Sequence, residues 1–404
     1  MAKIVFLTYD LPYPLTSGGK IRAFHLIKAL WEHGHQVALI SYSRRGDDLS
    51  DSDKLKEYCS SIHVFPRRWV WHPYNFLKAV FSWLPFPAVS YLQPSLKRFL
   101  VKELKDSSYD AVFFESFYPT VYLPAAKKYK VKTILGNENL EYLVYQRFRQ
   151  SGKLFFLWPF LFLDNWKMKR IERRWWKMAD LNLAVSPEDA KEISRVTWKS
   201  CELVPNGIDY EFYSRANLKK SGDPVLVFSG NLSYLANREA VLYFLEKIWP
   251  KIVGKVKKVH LEIVSKTKPA WIERYLKDGR VKLIQDTKNP VRDHLARGDI
   301  FVAPMTVGSG TNIKVLEAMA VGLPVVASPK GVEGLPVIPG ETLFVEPYSE
   351  GFANAVLTLL SDVQLRSHLG RCGQVFVENN FNVAHINNQF VSNLGTFLNS
   401  SNSI

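Results

Sequence analysis

The sequence predicts an α/β chain built as two doubly wound, Rossmann-like domains facing across a cleft. Three observations predict it. Short apolar runs alternate with helical stretches along the whole chain, at residues 4–7, 37–40, 111–114, 225–228 and 300–303. Runs that are apolar on both faces suit strands of a parallel sheet covered by helices. Glycine-bearing loops separate strand from helix at residues 8–19 and 304–312, as in the βα turns of doubly wound sheets. Finally, 404 residues at 47% hydrophobic can bury two cores. The boundaries read as 1–202 for the first domain, joined by a C-terminal helix at about 384–404, and 203–383 for the second.

Each element has a local reason. Residues 4–7 are a buried strand, and the loop after it carries Pro12, Pro14, Gly18 and Gly19. The next helix, 21–33, places Ile21, Phe24, Ile27 and Leu30 on one side. Strands follow at 37–40, 59–64, 111–114 and 131–135. The last two end at Glu115 and at Gly136-Asn137-Glu138, and carboxyl ends of strands are where open α/β sheets hold ligands. Ser186 caps a helix that Pro187 opens. Asn206-Gly207 is a turn signal at the entry to the second domain. There, strand 225–228 leads to Gly230 and Asn231 and then to a helix, about 237–248, that bears Arg238. Strands at 259–264 and 281–284 precede a helix at 290–296.

The most informative stretch follows. Strand 300–303 runs into Gly308-Ser309-Gly310-Thr311-Asn312, then a helix with Lys314 in its first turn and Glu317 one turn on. Gly322 stops that helix, and residues 324–327 form the next strand. Glycines let the backbone approach a ligand, and the amides of a helix start attract anions, phosphate above all. Taken alone, such a turn is equally at home in proteins that bind nothing there.

Composition narrows the partners. A net charge of +15 favours acidic ones: nucleotide phosphates, an anionic membrane or nucleic acid. No nucleic-acid-binding module is present, so nucleic acid is not expected. Three scattered cysteines suggest neither disulfides nor a zinc site and fit a reducing compartment. The first residues read as a strand, not a leader, and no apolar run reaches the ~20 residues of a membrane span. The expected location is cytoplasmic, or peripheral on the inner face of the cell membrane. Two segments, 67–91 and 153–177, mix aromatics with Lys and Arg. They fit an interfacial membrane patch, packing in the first domain's core, or stacking on single strands. Core packing would bury Trp69, Trp71, Trp83 and Trp158.

Lys314-Val315-Leu316-Glu317-Ala318-Met319-Ala320, with Gly322-Leu323-Pro324-Val325-Val326-Ala327, closely resembles the nucleotide-sugar site of glycosyltransferase family 4. Residues 204–209 resemble that family's interdomain phrase, and Gly18-Gly19 its N-terminal glycine pair. The resemblance covers essentially the whole chain and implies the GT-B fold. It also implies transfer of a hexosyl group, with retention, from a nucleotide-diphosphate sugar to an acceptor hydroxyl, in glycolipid or cell-surface polysaccharide synthesis. By that resemblance Glu138, Ser309 and Lys314 are the candidate catalytic residues. Gly18, Gly19, Gly230, Asn231, Arg238, Gly308, Gly310, Thr311, Asn312 and Glu317 are candidates for holding the donor, Glu317 through the ribose. The acceptor would be lipid-linked or a saccharide; no metal or cofactor beyond the donor is implied. Three positions depart from the family's pattern. Ser309 stands where the first Glu of a paired motif is usual, Glu138 where many relatives have His, and Asn231 where an Arg holds the pyrophosphate. A nucleotide-sugar epimerase and a silent nucleotide-sugar-binding protein are the rival readings.

Overall fold

The computed structural model describes residues 1–15, 17–44, 50–67, 69–70, 72–150, 158–216, 222–285, 291–307 and 311–400. The chain divides into two compact units. The first is Met1–Pro205 with the chain from His385 on, and the second is Asn206–Ala384.

The first unit is a sheet of seven parallel strands in the order β3-β2-β1-β4-β5-β6-β7. These are β1 (Lys3–Leu7), β2 (Gln36–Arg44), β3 (Ser61–Arg67), β4 (Ala111–Glu115), β5 (Lys132–Asn137), β6 (Leu181–Ala184) and β7 (Glu202–Leu203). The order runs outward from β1 on one side and from β4 on the other, so the topology reverses between them. Val5 lies opposite Ala38 on β2 and Val112 on β4. Successive strand side chains alternate between faces, and both faces of β1 are covered. Val5 and Leu7 join Val112, Phe114, Trp175 and Trp176 in one core. Ile4 and Phe6 join Phe113, Phe24, Ile27 and Leu30 in the other, where Phe390 and Leu394 of the helix Val383–Asn399 also pack. That C-terminal helix is tied down further by Asn393, which donates to Glu202, and by Lys132, which donates to the Phe397 carbonyl.

The helix after β1 spans Gly18–Glu32, so the glycine pair that reads as a turn forms its first turn instead. Extended Ser17 precedes it and its carbonyl accepts from the Ile21 amide at 3.0 Å. The helix Pro187–Thr197 is capped as its sequence suggests, with the Ser186 hydroxyl accepting from the Asp189 amide.

The second unit is a six-stranded parallel sheet in the order β10-β9-β8-β11-β12-β13. Its strands are β8 (Val225–Ser229), β9 (His260–Val264), β10 (Val281–Ile284), β11 (Ile300–Ala303), β12 (Val325–Ala327) and β13 (Phe344–Val345). The reversal here lies between β8 and β11. The helix Ile313–Val321 follows β11 and ends at Gly322, whose φ of +92° is the left-handed stop that glycine adopts without cost. Where the sequence reads one helix at about 237–248, the chain forms Leu235–Tyr243, a wider π turn over Phe244–Ile248, and then Trp249–Lys255. Pro250 has no amide hydrogen to give to the preceding turn, and the wider turn falls just there.

Candidate functional site

Each unit gathers chemistry at the carboxyl ends of its strands, at the reversal or one strand beyond it, where open α/β sheets hold ligands.

In the second unit that place is the end of β8. Gly230 follows the strand with φ of +154°. A methyl group there would fall 2.8 Å from the Asn237 side-chain nitrogen and 3.1 Å from Lys314 Nζ. The positive φ is what selects glycine there, and its bare backbone leaves the room into which Asn237 and Lys314 reach, Lys314 from the first turn of the Ile313–Val321 helix. Lys314 Nζ donates to Asn237 Oδ1 and lies 4.9 Å from the centre of the Phe228 ring. Asn237 Nδ2 in turn donates to the Asn231 carbonyl at 2.9 Å. Burial pushes the Lys314 ammonium down to about 8, against the pull of Glu317. One helical turn on, Glu317 Oε1 accepts from the Tyr213 hydroxyl at 2.7 Å. Burial raises the Glu317 carboxyl, while Tyr213 and Lys314 oppose it. An i, i+3 pair lies on one helix face, so an ammonium and a carboxylate stand side by side next to a glycine turn.

The other candidates of this unit divide. Asn231 Oδ1 accepts from Thr267 Oγ1 and from the Ser233 amide, both at 2.9 Å, so its side chain shapes the turn. Arg238 is exposed and holds its guanidinium 5.9 Å from the Trp271 ring centre. Asn312 precedes the helix and donates to the carbonyls of Lys330 and Gly331, each at 3.1 Å, binding the loop to the next turn. Thr311 is half-buried beside it. Gly308, Ser309 and Gly310 lie outside the described residues.

In the first unit, Arg22 from the Gly18–Glu32 helix reaches Glu115 at the end of β4, Nε to Oε1 at 2.7 Å. Its Nη1 also donates to the Val204 carbonyl at 2.7 Å. Glu115 has 0% of its surface exposed, so this carboxylate, a ligand candidate by position, serves the fold instead. Glu138 follows β5 and lies against Gly19. A methyl group at Gly19 would fall 2.8 Å from both Glu138 carboxylate oxygens and closer still to the Tyr9 hydroxyl. The glycine pair thus leaves room at the helix start for the Glu138 carboxyl and the Tyr9 hydroxyl. A bulky residue at Gly19 would first displace Tyr9 and Glu138, before it could meet any ligand. Burial pushes the Glu138 carboxyl up to about 8; nearby Glu115 and Glu141 raise it further and Arg22 pulls it down. Glu141, whose Oε2 accepts from the Tyr118 hydroxyl at 3.2 Å, is pushed up to about 7 by burial. Glu172 holds this corner in place by accepting the amides of Glu141 and Tyr142 at 2.9 and 3.0 Å.

A stability prediction arises here. Below the ordinary carboxylate range both the folded and unfolded chains hold the Glu138 proton, and the residue costs nothing. As pH rises from that range to about 8, the unfolded chain releases its proton and the folded chain keeps it, so stability falls. Glu138→Gln has no proton to lose. Its melting temperature should match the parent's at acid pH and exceed it progressively up to about pH 8. A constant difference across that window in calorimetric scans would contradict the assignment.

The sequence pointed to Lys314, Glu317, Gly230 and Glu138. It gave no sign of Tyr213 and Asn237, which lie 104 and 77 positions from Glu317 and Lys314 along the chain, or of Tyr9 beside Gly19, and none of the three carries a local motif.

Comparison with known proteins adds the following. Residues 16–212 match the family model described as Glycosyltransferase Family 4, and residues 223–362 the one described as Glycosyl transferases group 1. Among curated proteins, an uncharacterized 44.6 kDa protein in the cps region of Klebsiella pneumoniae is 22% identical over 391 residues, 94% of this chain and 97% of that one. Among solved structures, sucrose-phosphate synthase from Thermosynechococcus elongatus superposes with a TM-score of 0.73 at 17% identity, covering 99% of this chain and 100% of that one. Anabaena HepE in complex with UDP gives 0.68 at 16% identity, over 98% and 100%. A glycosyltransferase from Rickettsia africae gives 0.68 at 14% identity, over 99% of each chain.

Proposed function

The chain belongs to glycosyltransferase family 4, with the GT-B fold, and from that premise we propose that it moves a hexosyl group from a UDP-sugar to an acceptor hydroxyl with retention. The observation that carries the donor half is Lys314 against Gly230 at the end of β8, with Glu317 one helical turn away. The bond from the sugar C1 to the diphosphate oxygen breaks, a bond from C1 to the acceptor oxygen forms on the same face, and the acceptor hydroxyl's proton passes to the departing diphosphate oxygen beside it. Negative charge grows on the leaving diphosphate. Lys314, fixed by Asn237 and by the Phe228 ring, is the cation that meets it, and the amides opening its helix add to the field. Glu317, oriented by Tyr213, takes the two ribose hydroxyls.

UDP is the nucleotide of choice because structures of Anabaena HepE contain UDP, and UDP-glucose in one case. In the first unit Glu138 keeps its proton at neutral pH and is there a hydrogen-bond donor to a sugar hydroxyl rather than a base. The cps-region relative supports polysaccharide or glycolipid synthesis as the setting, with a lipid-linked or saccharide acceptor.

Titration of UDP into the full chain tests this reading. A carboxylate bonded to two hydroxyls contributes roughly 1.5–3 kcal/mol through charge-assisted hydrogen bonds. Glu317→Gln should therefore bind UDP about 10-fold or more weakly while melting normally. Equal affinity of variant and parent would remove Glu317 from the site.

A further inference from the structure

We propose that the first unit docks on an anionic lipid bilayer through one exposed surface, formed by the helix Trp158–Met178, the residues 72–83 packed against it and Trp69 beside them. The purpose of such docking rests on the reading of a lipid-linked acceptor; its geometry does not.

The helix carries its exposed residues in one stripe. Leu163 and Trp166 are exposed toward its N-terminal end, and Lys169, Arg170, Arg174 and Lys177 continue the stripe at steps of three and four. The stripe is thus apolar first and basic after. The helix has two acidic residues, and both are turned inward. Asp164 accepts the Phe86 amide at 2.8 Å, and Glu172 accepts the amides of Glu141 and Tyr142. No negative charge of the helix therefore faces the same side as its four exposed cations.

The apolar end is widened by a neighbour. The helix Pro73–Val80 lies against it: the Phe76 and Phe160 rings are 4.7 Å apart, and Lys167 donates to the carbonyls of Ala79 and Ser82 at 2.9 and 2.8 Å. Around this joint Trp69, Phe81 and Trp83 are 68%, 88% and 76% exposed. Trp69 and Trp83 are therefore surface residues rather than core, in contrast to Trp175 and Trp176, which are buried. Trp71 lies outside the described residues, as does the side chain of Trp158. Aromatics clustered on a surface mark a docking site. No helix among the described residues is long and apolar enough to cross a membrane.

The occupant follows from charge. Protein interfaces are depleted in lysine at their centres, whereas tryptophan beside a basic collar is the composition of a bilayer interface, rings among the headgroups and cations on anionic lipid. A second copy laid symmetrically on this face would set one basic collar against another.

The test is flotation of the full chain with vesicles of phosphatidylcholine alone or mixed with phosphatidylglycerol. Binding is expected to the anionic vesicles only and to weaken as salt rises. Each basic residue near such a surface is worth roughly 5-fold, so Lys169→Gln with Arg170→Gln should weaken binding about 10-fold or more. Phe81→Ser with Trp83→Ser should lower it further at any salt. The proposal is overturned if the parent fails to float with anionic vesicles at low salt, or if neither pair of substitutions changes flotation. It is also overturned if the aromatic pair abolishes self-association while flotation persists, which would assign the surface to a second copy. UDP titration on the same samples keeps the two readings apart. Normal UDP binding without flotation refutes docking alone, and flotation without UDP binding refutes the donor site alone.

Discussion

Lys314→Met is expected to slow sugar transfer by about 100- to 1,000-fold, the loss typical of removing one preorganised group that stabilises charge in a transition state. The same change should leave the protein as stable as before, or more so. Burial holds the Lys314 ammonium down to about 8, well below lysine's ordinary value. Above that ordinary value neither state carries the charge. As pH falls toward about 8 the unfolded chain takes up a proton that the folded chain does not, so the residue costs stability, and the cost stays constant below about 8. Methionine fills a similar volume beside Phe228 and Asn237 without that cost. The parent's UDP affinity should itself fall as pH rises above about 8 and Lys314 loses its proton, and Lys314→Met should lack this step. Loss of activity matched by an equal loss of melting temperature would indicate a structural role only.

Arg22→Met should produce the largest stability defect. The substitution leaves the fully buried Glu115 without its 2.7 Å partner and the Val204 carbonyl without a donor. Breaking a buried pair from one side costs about 3–5 kcal/mol. For a unit of this size that is on the order of 10 °C in melting temperature. The defect depends on pH. Burial already raises the Glu115 carboxyl, and Arg22 is what opposes it. Without Arg22 the folded chain must take up a proton that the unfolded chain releases above the ordinary carboxylate range. The defect should therefore be full at neutral pH and shrink on acidification toward that range. Adding Glu115→Gln should recover part of the loss. A single variant that melts like the parent at neutral pH would refute this account of the pair.

The strands were legible because parallel strands buried on both faces leave unbroken apolar runs, as at Ile4, Val5, Phe6 and Leu7. Their order was not, since nothing in the 111–115 run states that it pairs with β1. Gly18 and Gly19 misled as a turn because the loss of Cβ is a local signal, while its cause is distant: Tyr9 and Glu138 fill the space a side chain would occupy. Glu115 and Glu138 look alike in sequence, each ending a strand. Only the reach of Arg22 separates the buried structural carboxylate from the one at the helix start. The described aromatics from 160 to 177 divide by helical phase, Trp166 outward and Trp175 inward, which composition alone could not resolve. Lys314 and Glu317 were visible in their motif, whereas Tyr213 and Asn237, which orient them, belong to other helices and gave no cue.

The central claim is that the second unit presents a UDP-sugar for transfer, and release of UDP tests it most directly. The full chain should be incubated with a panel of nucleotide sugars, with and without lipid-linked and saccharide acceptors, while free nucleoside diphosphate and labelled product are followed. The account predicts that a UDP-sugar gives UDP and glycosylated product together, that both depend on the acceptor, and that both fall in parallel in Lys314→Met. Donor converted to another sugar nucleotide without any acceptor would point to an epimerase. Tight UDP-sugar binding with no release under any acceptor would contradict the transferase reading outright.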